Sequence, residues 1–503
     1  MSTRSRRWAG SLTLKLGAAV LVVIVGDVLF WRLGQWGGVQ GIYGFALIAA
    51  LLIARPAVRR DWRARIALSL AALYALAQLW DPSPLAFALF WVALGFATLL
   101  PGTARFDDGW RWIQRLIAHG FKSLFGPLID LTILSRVRRK RPAGPLGLRR
   151  SLPVLVLPLL GSALFVWLFA AANPVIEQML ARLALPEFDW SLIPRIVLWG
   201  ALLVMTWGVL RPRPPRRMFG TFDVSGDVVL PGVSLASVTL SLAAFNALFA
   251  AQNAMDLAYL SHLAALPTGI TLADYAHRGA YPLVATALLA ALFVLVTLRP
   301  GSSTAAAPLV RRLVTLWIAQ NLLLVASAGL RTWDYIEAYS LTVLRLSALL
   351  WMGLVAVGLV LVLWRMLHGR SASWLINANL AAAGVLLTGV AFVDLGAVSA
   401  RWNVAHAKEI DGDGAGLDLC YLDALGTSAL PALIELDRRR LPGELGENIN
   451  SLRGGTTESL EWRVGHGGWS GLAIRRLAEA KSFAALTPSH KPSAGWDCRD
   501  ERD

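Results

Sequence analysis

Residues 341–364 read LTVLRLSALLWMGLVAVGLVLVLW, an apolar run carrying a single charge, Arg345, and followed by the basic segment Arg365 to Arg370. A helix needs about 20 such residues to cross the hydrocarbon core of a bilayer, so this stretch reads as a transmembrane span. Similar runs lie on both sides of it. Taken in order they are Leu14 to Trp31, Val39 to Ala54, Ile66 to Leu79, Leu85 to Leu100, Leu152 to Ala172, Ser191 to Leu210, Val233 to Leu257, Tyr281 to Leu298, Leu313 to Leu330, Leu341 to Trp364 and Trp374 to Val393. The expected fold is therefore all-α, a polytopic transmembrane helix bundle of about eleven spans.

Composition agrees. The chain is 56% hydrophobic and 16% charged, against roughly 25% charged in soluble domains. Its net charge of +16 does not point to nucleic acid, because the arginines cluster in short loops beside apolar spans and form no basic face with stacking aromatics. Membrane lipid is the expected partner.

The loops also give an orientation. Arg4, Arg6 and Arg7, the stretch from Arg55 to Arg65, the segment from Arg105 to Arg150, RPRPPRR at 211–217, the loop with Arg299, Arg311 and Arg312, and Arg365 to Arg370 fall on one side of the alternating spans. That side is expected to be cytoplasmic, since cytoplasmic loops carry the Lys/Arg excess. The third span is short and is kept because dropping it breaks the alternation. An odd count puts the N-terminus inside and the last stretch of chain outside. The first span lacks a small-x-small site at its exit, GDVLFW at 26–31, and reads as an uncleaved signal anchor.

Four regions follow: a four-span region over 1–104, a basic amphipathic segment over 105–150, a seven-span domain over 151–396 and a helical extramembrane tail over 397–503. In the second region Trp110, Ile113, Ile117, Phe121, Leu124 and Leu128 recur at steps of three and four, with Arg111, Arg115 and Lys122 off the stripe. This spacing predicts an interfacial helix, interrupted near Gly126-Pro127, that leads to the run Arg136 to Arg141 and offers it to anionic headgroups. The tail predicts two short helices over 417–440 and holds both cysteines, Cys420 and Cys498. Export makes a disulfide between them an even prospect.

Polar groups inside spans are costly and default to a functional reading. On the seventh span Thr239, Asn246, Asn253 and Asp256 fall on one stripe that ends at the outer side. Beyond it, Asp274, Tyr275, His277 and Arg278 are placed on a short outer helix. Around the ninth and tenth spans come Gln320, Asn321, Ser327, Arg331, Glu337, Tyr339 and Arg345. The candidate binding set is thus Asn246, Asn253, Asp256, Asp274, Tyr275, His277, Arg278, Arg331, Glu337, Tyr339 and Arg345. Its arginines suit an anionic or polyol headgroup, and Arg345 is expected to be buried against Asp256, Asp274 or Glu337. Individually each has a plainer explanation: Asp274 and Arg278 as an i,i+4 pair, the Trp and Tyr residues as an aromatic belt, and the asparagines as interhelical glue.

Other chemistry is not encoded. Asp411-Gly-Asp413-Gly opens like a calcium loop, but Leu422 stands where the bidentate Glu belongs. The histidines show no zinc spacing, Gly465 to Gly471 is no nucleophile elbow, and no phosphate-cradling Gly-rich loop with Lys occurs. No metal or cofactor is expected, and an intrinsic ATPase or zinc hydrolase is disfavoured.

Several stretches resemble a bacterial membrane-protein family, domain of unknown function 4173, a relative of number 4153. They are GDVLFW (26–31), FAAANPVIEQML (169–180), NALFAAQNAMDLAYL (246–260), ITLADYAHRGAYPLVATALL (270–289), WDYIEAYSLTVLRLSALLWMGLV (333–355), ARWNVAHA (400–407) and LDLCYLDALG (417–426). The resemblance implies a multi-pass bacterial inner-membrane protein without assigned catalytic residues. Three functions remain open: a permease or lipid-handling transporter with its polar site in the outer half of spans seven to ten, a membrane enzyme acting on a lipid-linked substrate at the outer leaflet, and a non-catalytic sensor or assembly protein.

Overall fold

The computed structural model describes residues 3–32, 37–103, 106–139, 192–214, 219–220, 234–261, 301–410 and 412–466, with single positions between 158 and 190 and between 286 and 293. Among these residues every regular element is helical. Among the described residues seven helices are long and apolar enough to cross a membrane.

The first bundle contains α1 (Thr3–Asp27, continued by a π turn over Val28–Arg32), α2 (Val39–Ala54), the short α3 (Pro56–Arg60), α4 (Trp62–Trp80), α5 (Pro84–Leu99) and α8 (Leu192–Leu210). Its turns follow directly from local chemistry. Ser83 Oγ accepts from the Ala86 N–H at 3.1 Å and Pro84 occupies the first turn of α5, so the chain reverses within three residues of α4. Leu47, Leu51, Leu94 and Leu210 are fully buried at its centre. Lipid tails are as apolar as leucine, so helices in a bilayer are held by close fit and polar links more than by water exclusion. At Gly41 that fit is tight: a Cβ there would stand 2.4 Å from the Ala75 carbonyl oxygen, which ties α2 to α4 at a distance Ala would not permit.

The second bundle contains α9 (Leu235–Leu260), α10 (Pro308–Tyr339), α11 (Val343–Leu367) and α12 (Ala372–Val390). Val238, Leu242, Val314, Ile318, Leu359 and Val362 form its apolar centre. The two bundles meet through α12, where Thr388 and the Tyr74 hydroxyl of α4 lie 2.8 Å apart. At 32 residues, α10 is about 48 Å long, well over the ~30 Å of a hydrocarbon core. The stretch RTWDYIEAY continues the ninth span as one helix.

α6 (Gly109–Leu124) lies between the bundles and α7 (Gly126–Arg139) packs against α8, with the axis turning by 63° at Phe125. The interruption falls where Gly126-Pro127 predicts it. Ile117, Phe121, Leu124 and Leu128 of the apolar stripe face outward, while Trp112 and His119 from the neighbouring face are buried against the protein. Both ends of α6 lie beside span ends of one side: the Gly109 N–H donates to Asn377 Oδ1 at the start of α12, and Ser123 sits against Gly208 near the end of α8. This suits a helix lying along the bundle. On the same side Arg55 donates to the Thr98 carbonyl at 2.7 Å, and Asp130 of α7 pairs with Arg211 and Arg213.

After α12 the chain forms a small helical domain, α13 (Leu395–His406), α14 (Leu419–Leu425), α15 (Leu430–Arg438) and α16 (Gly443–His466). Leu422, Leu433, Leu436 and Ile449 make its core. Cys420 is disulfide-bonded; the one other cysteine, Cys498, lies outside the described residues.

Candidate functional site

α9 and α10 are linked by side chains at successive levels, the first two at the same offset. Asn246 Nδ2 donates to the Leu313 carbonyl at 3.0 Å, Asn253 Nδ2 donates to the Gln320 carbonyl at 3.1 Å, and Ser327 Oγ donates to Asp256 Oδ2 at 2.9 Å. Numbers rise together on both helices, so the two run parallel. The seven-residue step between the first two links is the register of a left-handed supercoil.

This ladder ends in a buried charge pair. Arg331 Nη2 lies 2.9 Å from Asp256 Oδ2, Gln252 Nε2 donates to Asp256 Oδ1 at 3.1 Å, and the Arg331 guanidinium also lies 3.4 Å from the Ser327 hydroxyl and carbonyl oxygens. Asp256 is 2% exposed and Arg331 8%. Both ions are desolvated and each is hydrogen-bonded, which is the condition for such a pair to persist at that depth. Asn246 Oδ1, Asn253 Oδ1 and Gln320 Oε1 are buried without a partner among the described residues.

The expectation for Arg345 is corrected for its burial and for two of its three partners, Asp256 and Glu337. Its Nη1 donates to the carbonyls of Tyr339 and Ser340, and its guanidinium sits 4.0 Å from the Tyr335 ring centroid. Among the described residues no carboxylate lies within ion-pair distance of it. The reason is position: Arg345 opens α11 beside the unpaired carbonyls that end α10, a negative pole that a cation neutralises, while Asp256 is already held by Arg331. Glu337 is exposed and accepts from Trp333 Nε1 at 2.7 Å, and Tyr339 is exposed with its ring 5.0 Å from that of Tyr335, so neither joins the buried pair. Asp274, Tyr275, His277 and Arg278 lie outside the described residues.

Two clusters were not foreseen from the sequence. Asp27, near the end of α1, is gripped by Arg195 of α8 through two bonds of 2.8 and 2.6 Å and by Trp199 Nε1 at 2.7 Å, with Arg195 also over the Trp31 ring. The signal was an acid and a base standing alone in two apolar spans. The second cluster holds the linker between α10 and α11. The linker between α10 and α11 carries Ser340 at φ 71°, and α13 clamps it: Asn403 Oδ1 accepts from the Leu341 N–H at 2.7 Å, and Asn403 Nδ2 and Ser399 Oγ donate to the Leu341 carbonyl at 3.0 and 2.6 Å. Tyr421 Oη of α14 accepts from the Val343 N–H at 2.8 Å. The helical tail thus sits at the end of the bundle where α10 finishes and α11 begins.

The family can now be placed. Residues 18–436 match the model of a family described as a domain of unknown function, DUF4153. The chain belongs to this family. In this DUF4153 protein the matched region runs from α1 into α15 and so takes in both bundles, the Asp256–Arg331 and Asp27–Arg195 pairs and the clamp. The match is to the relative of the 4173 family that the sequence stretches resemble, not to 4173 itself. No curated protein and no solved structure matches the chain.

Proposed function

We propose that this DUF4153 protein is a transporter of the inner membrane, a permease or lipid-handling protein, whose polar site lies in the outer half of spans seven to ten. The observation that supports it is the Asp256–Arg331 pair, buried between two parallel spans at 2.9 Å under a docked outer domain. An anionic group competing with Asp256 for Arg331 releases the carboxylate, which gives binding a means of changing the α9–α10 contact. The clamp of α13 and α14 on Leu341 and Val343 favours a second reading, in which the outer domain senses a partner and passes its state to α10 and α11.

The eleven-span count and its orientation belong to this reading. α2 and α4 pack along α5, a helix long enough to span, and raise the seven described crossings to nine. Parallel α9 and α10 require an odd number of crossings between them, which the Tyr281 to Leu298 stretch supplies; Leu152 to Ala172 supplies the other. With the Arg-rich side cytoplasmic, the C-terminal domain is periplasmic, in keeping with its disulfide-bonded Cys420. Reporter fusions after Arg150 and after Val393 are expected on opposite sides, and two cytoplasmic reports would overturn the count.

The transport reading is tested by accessibility. Ser327→Cys, in the unreduced protein, is expected to react with a membrane-impermeant maleimide added from the outer side, because a working site must open to water. Protection of that thiol from both sides, in protein that is folded and inserted, overturns the reading.

A further inference from the structure

At the Arg-rich end of the first bundle, α4 and α5 diverge around a groove of about 750 Å³ lined by Trp62, Ile66 and Leu70 of α4, Phe96 and Leu100 of the α5 end, and Phe106. The walls are apolar. Trp62, Ile66, Leu70 and Phe106 are exposed, so the groove opens outward. Its mouth is built by an ion pair that is already satisfied: Arg63 binds Asp61 through Nε and Nη2 at 3.2 and 2.9 Å, and Nη2 also donates to the Thr103 carbonyl at 2.8 Å, which fixes the start of α4 to the end of α5. Asp61 is thereby neutralised. Arg59 and Arg60, which end α3 directly before Asp61, and Arg65, one residue before Ile66, are exposed and make no ion pair among the described residues. An apolar slot results, with an indole at its rim and three exposed arginines in the sequence that flanks it.

We infer that this groove binds one acidic phospholipid of the Arg-rich leaflet, an acyl chain lying in the slot and the phosphate held by Arg59, Arg60 and Arg65. Charge complementarity selects the headgroup. Cations beside a bilayer attract acidic lipid by ~1 kcal/mol each, close to fivefold in local affinity. The ring of Trp62 belongs at headgroup level, where its apolar body and polar N–H are both accommodated. The site lies at the opposite end of the spans from the Asp256–Arg331 pair and does not depend on the transport reading.

The test uses the purified full chain in liposomes containing brominated phosphatidylglycerol or brominated phosphatidylcholine. Quenching of Trp62 is isolated as the difference between the protein and its Trp62→Phe variant. Phosphatidylglycerol is expected to quench Trp62 at severalfold lower mole fraction than phosphatidylcholine. The R59Q/R60Q/R65Q variant, changed at exposed positions, is expected to lose that preference and to keep its quenching by phosphatidylcholine. R311Q/R312Q is expected to leave the preference intact, which separates a site from the general charge of the surface. Equal quenching by the two lipids, a preference that survives the triple substitution, or its loss in R311Q/R312Q overturns the proposal. So does displacement by inorganic phosphate alone, which marks a free-anion site, or no quenching by either lipid, which marks a groove closed by the chain itself.

Discussion

Arg331 of α10 and Asp256 of α9 form a buried ion pair that joins two parallel helices, with Ser327 and Gln252 also donating to the carboxylate. Removing one partner leaves the other as an unpaired buried charge, a loss of about 3–5 kcal/mol, whereas replacing both with apolar residues is often neutral. Asp256→Asn and Arg331→Met are each expected to lower the melting temperature in detergent. The D256L/R331M double variant is expected to recover most of it. A double variant as unstable as the singles would show that the pair is not the stabilising unit. If the double variant is stable yet Ser327→Cys in that background loses its reactivity, the pair serves opening as well as folding.

Arg345 acts differently, and Lys is the informative substitution. It donates to two carbonyls at the end of α10 and covers the Tyr335 ring. Arg345→Ala is expected to cost ~1–3 kcal/mol, the sum of charge-assisted bonds to a helix C-terminus and a cation–π contact. Arg345→Lys keeps a cation at that terminus and is expected to retain more than half of the stability that Ala loses. A Lys variant no better than Ala would mean that the planar fork, not the charge, matters.

Asn403 satisfies both backbone groups of Leu341. Asn403→Leu fills similar space but strands a buried N–H and leaves Ser399 as the carbonyl's single partner, a loss of about 1–3 kcal/mol. Hydrogen exchange at the Leu341 and Val343 amides is expected to rise in this variant while amides in the middle of α11 keep their protection. Uniform acceleration would indicate global unfolding, and unchanged exchange would show that the clamp does not hold the linker.

The disulfide gives a count that alkylation reads directly. Cys420 is bonded and the chain has one other cysteine, so unreduced protein is expected to label at no thiol and reduced protein at two. Free labelling before reduction would overturn the bond.

How much of this was legible beforehand follows from the kind of signal each feature leaves. The spans left the strongest one, since twenty apolar residues between arginine clusters have few other readings, and α2 begins and ends where Val39 to Ala54 was read. Asn246, Asn253 and Asp256 were visible as a stripe because helical periodicity is local. Their partners were not, because whether Asp256 meets Arg331 or Arg345 depends on the register of two helices far apart in the sequence. The amphipathic α6 shows the same limit. Its apolar stripe is plain in the spacing, yet the face carrying Trp112 and His119 is the one turned to the protein. Apolarity marks a surface that avoids water without saying whether lipid or protein covers it.

His119 on that inner face yields a pH dependence. It is buried beside Ser123, near Arg55 and Arg213, and burial with those two cations pushes its pKa down to about 4 from 6.5. In the unfolded chain the imidazole takes up a proton near pH 6.5, while in the folded protein it stays neutral until about pH 4. The unfolded state therefore binds more protons in this window, and stability falls as pH drops through it, by roughly 1.4 kcal/mol for each pH unit. Above pH 6.5 the contribution is complete and flat. Melting temperatures of the protein and of His119→Gln are expected to run parallel at neutral pH and above, and to converge on acidification as the histidine's advantage is lost. A His119→Gln protein that loses stability with acid as steeply as the parent would assign the pH dependence to other groups, with the carboxylates of Asp107 and Asp61, both held below their ordinary range by arginines, next in line.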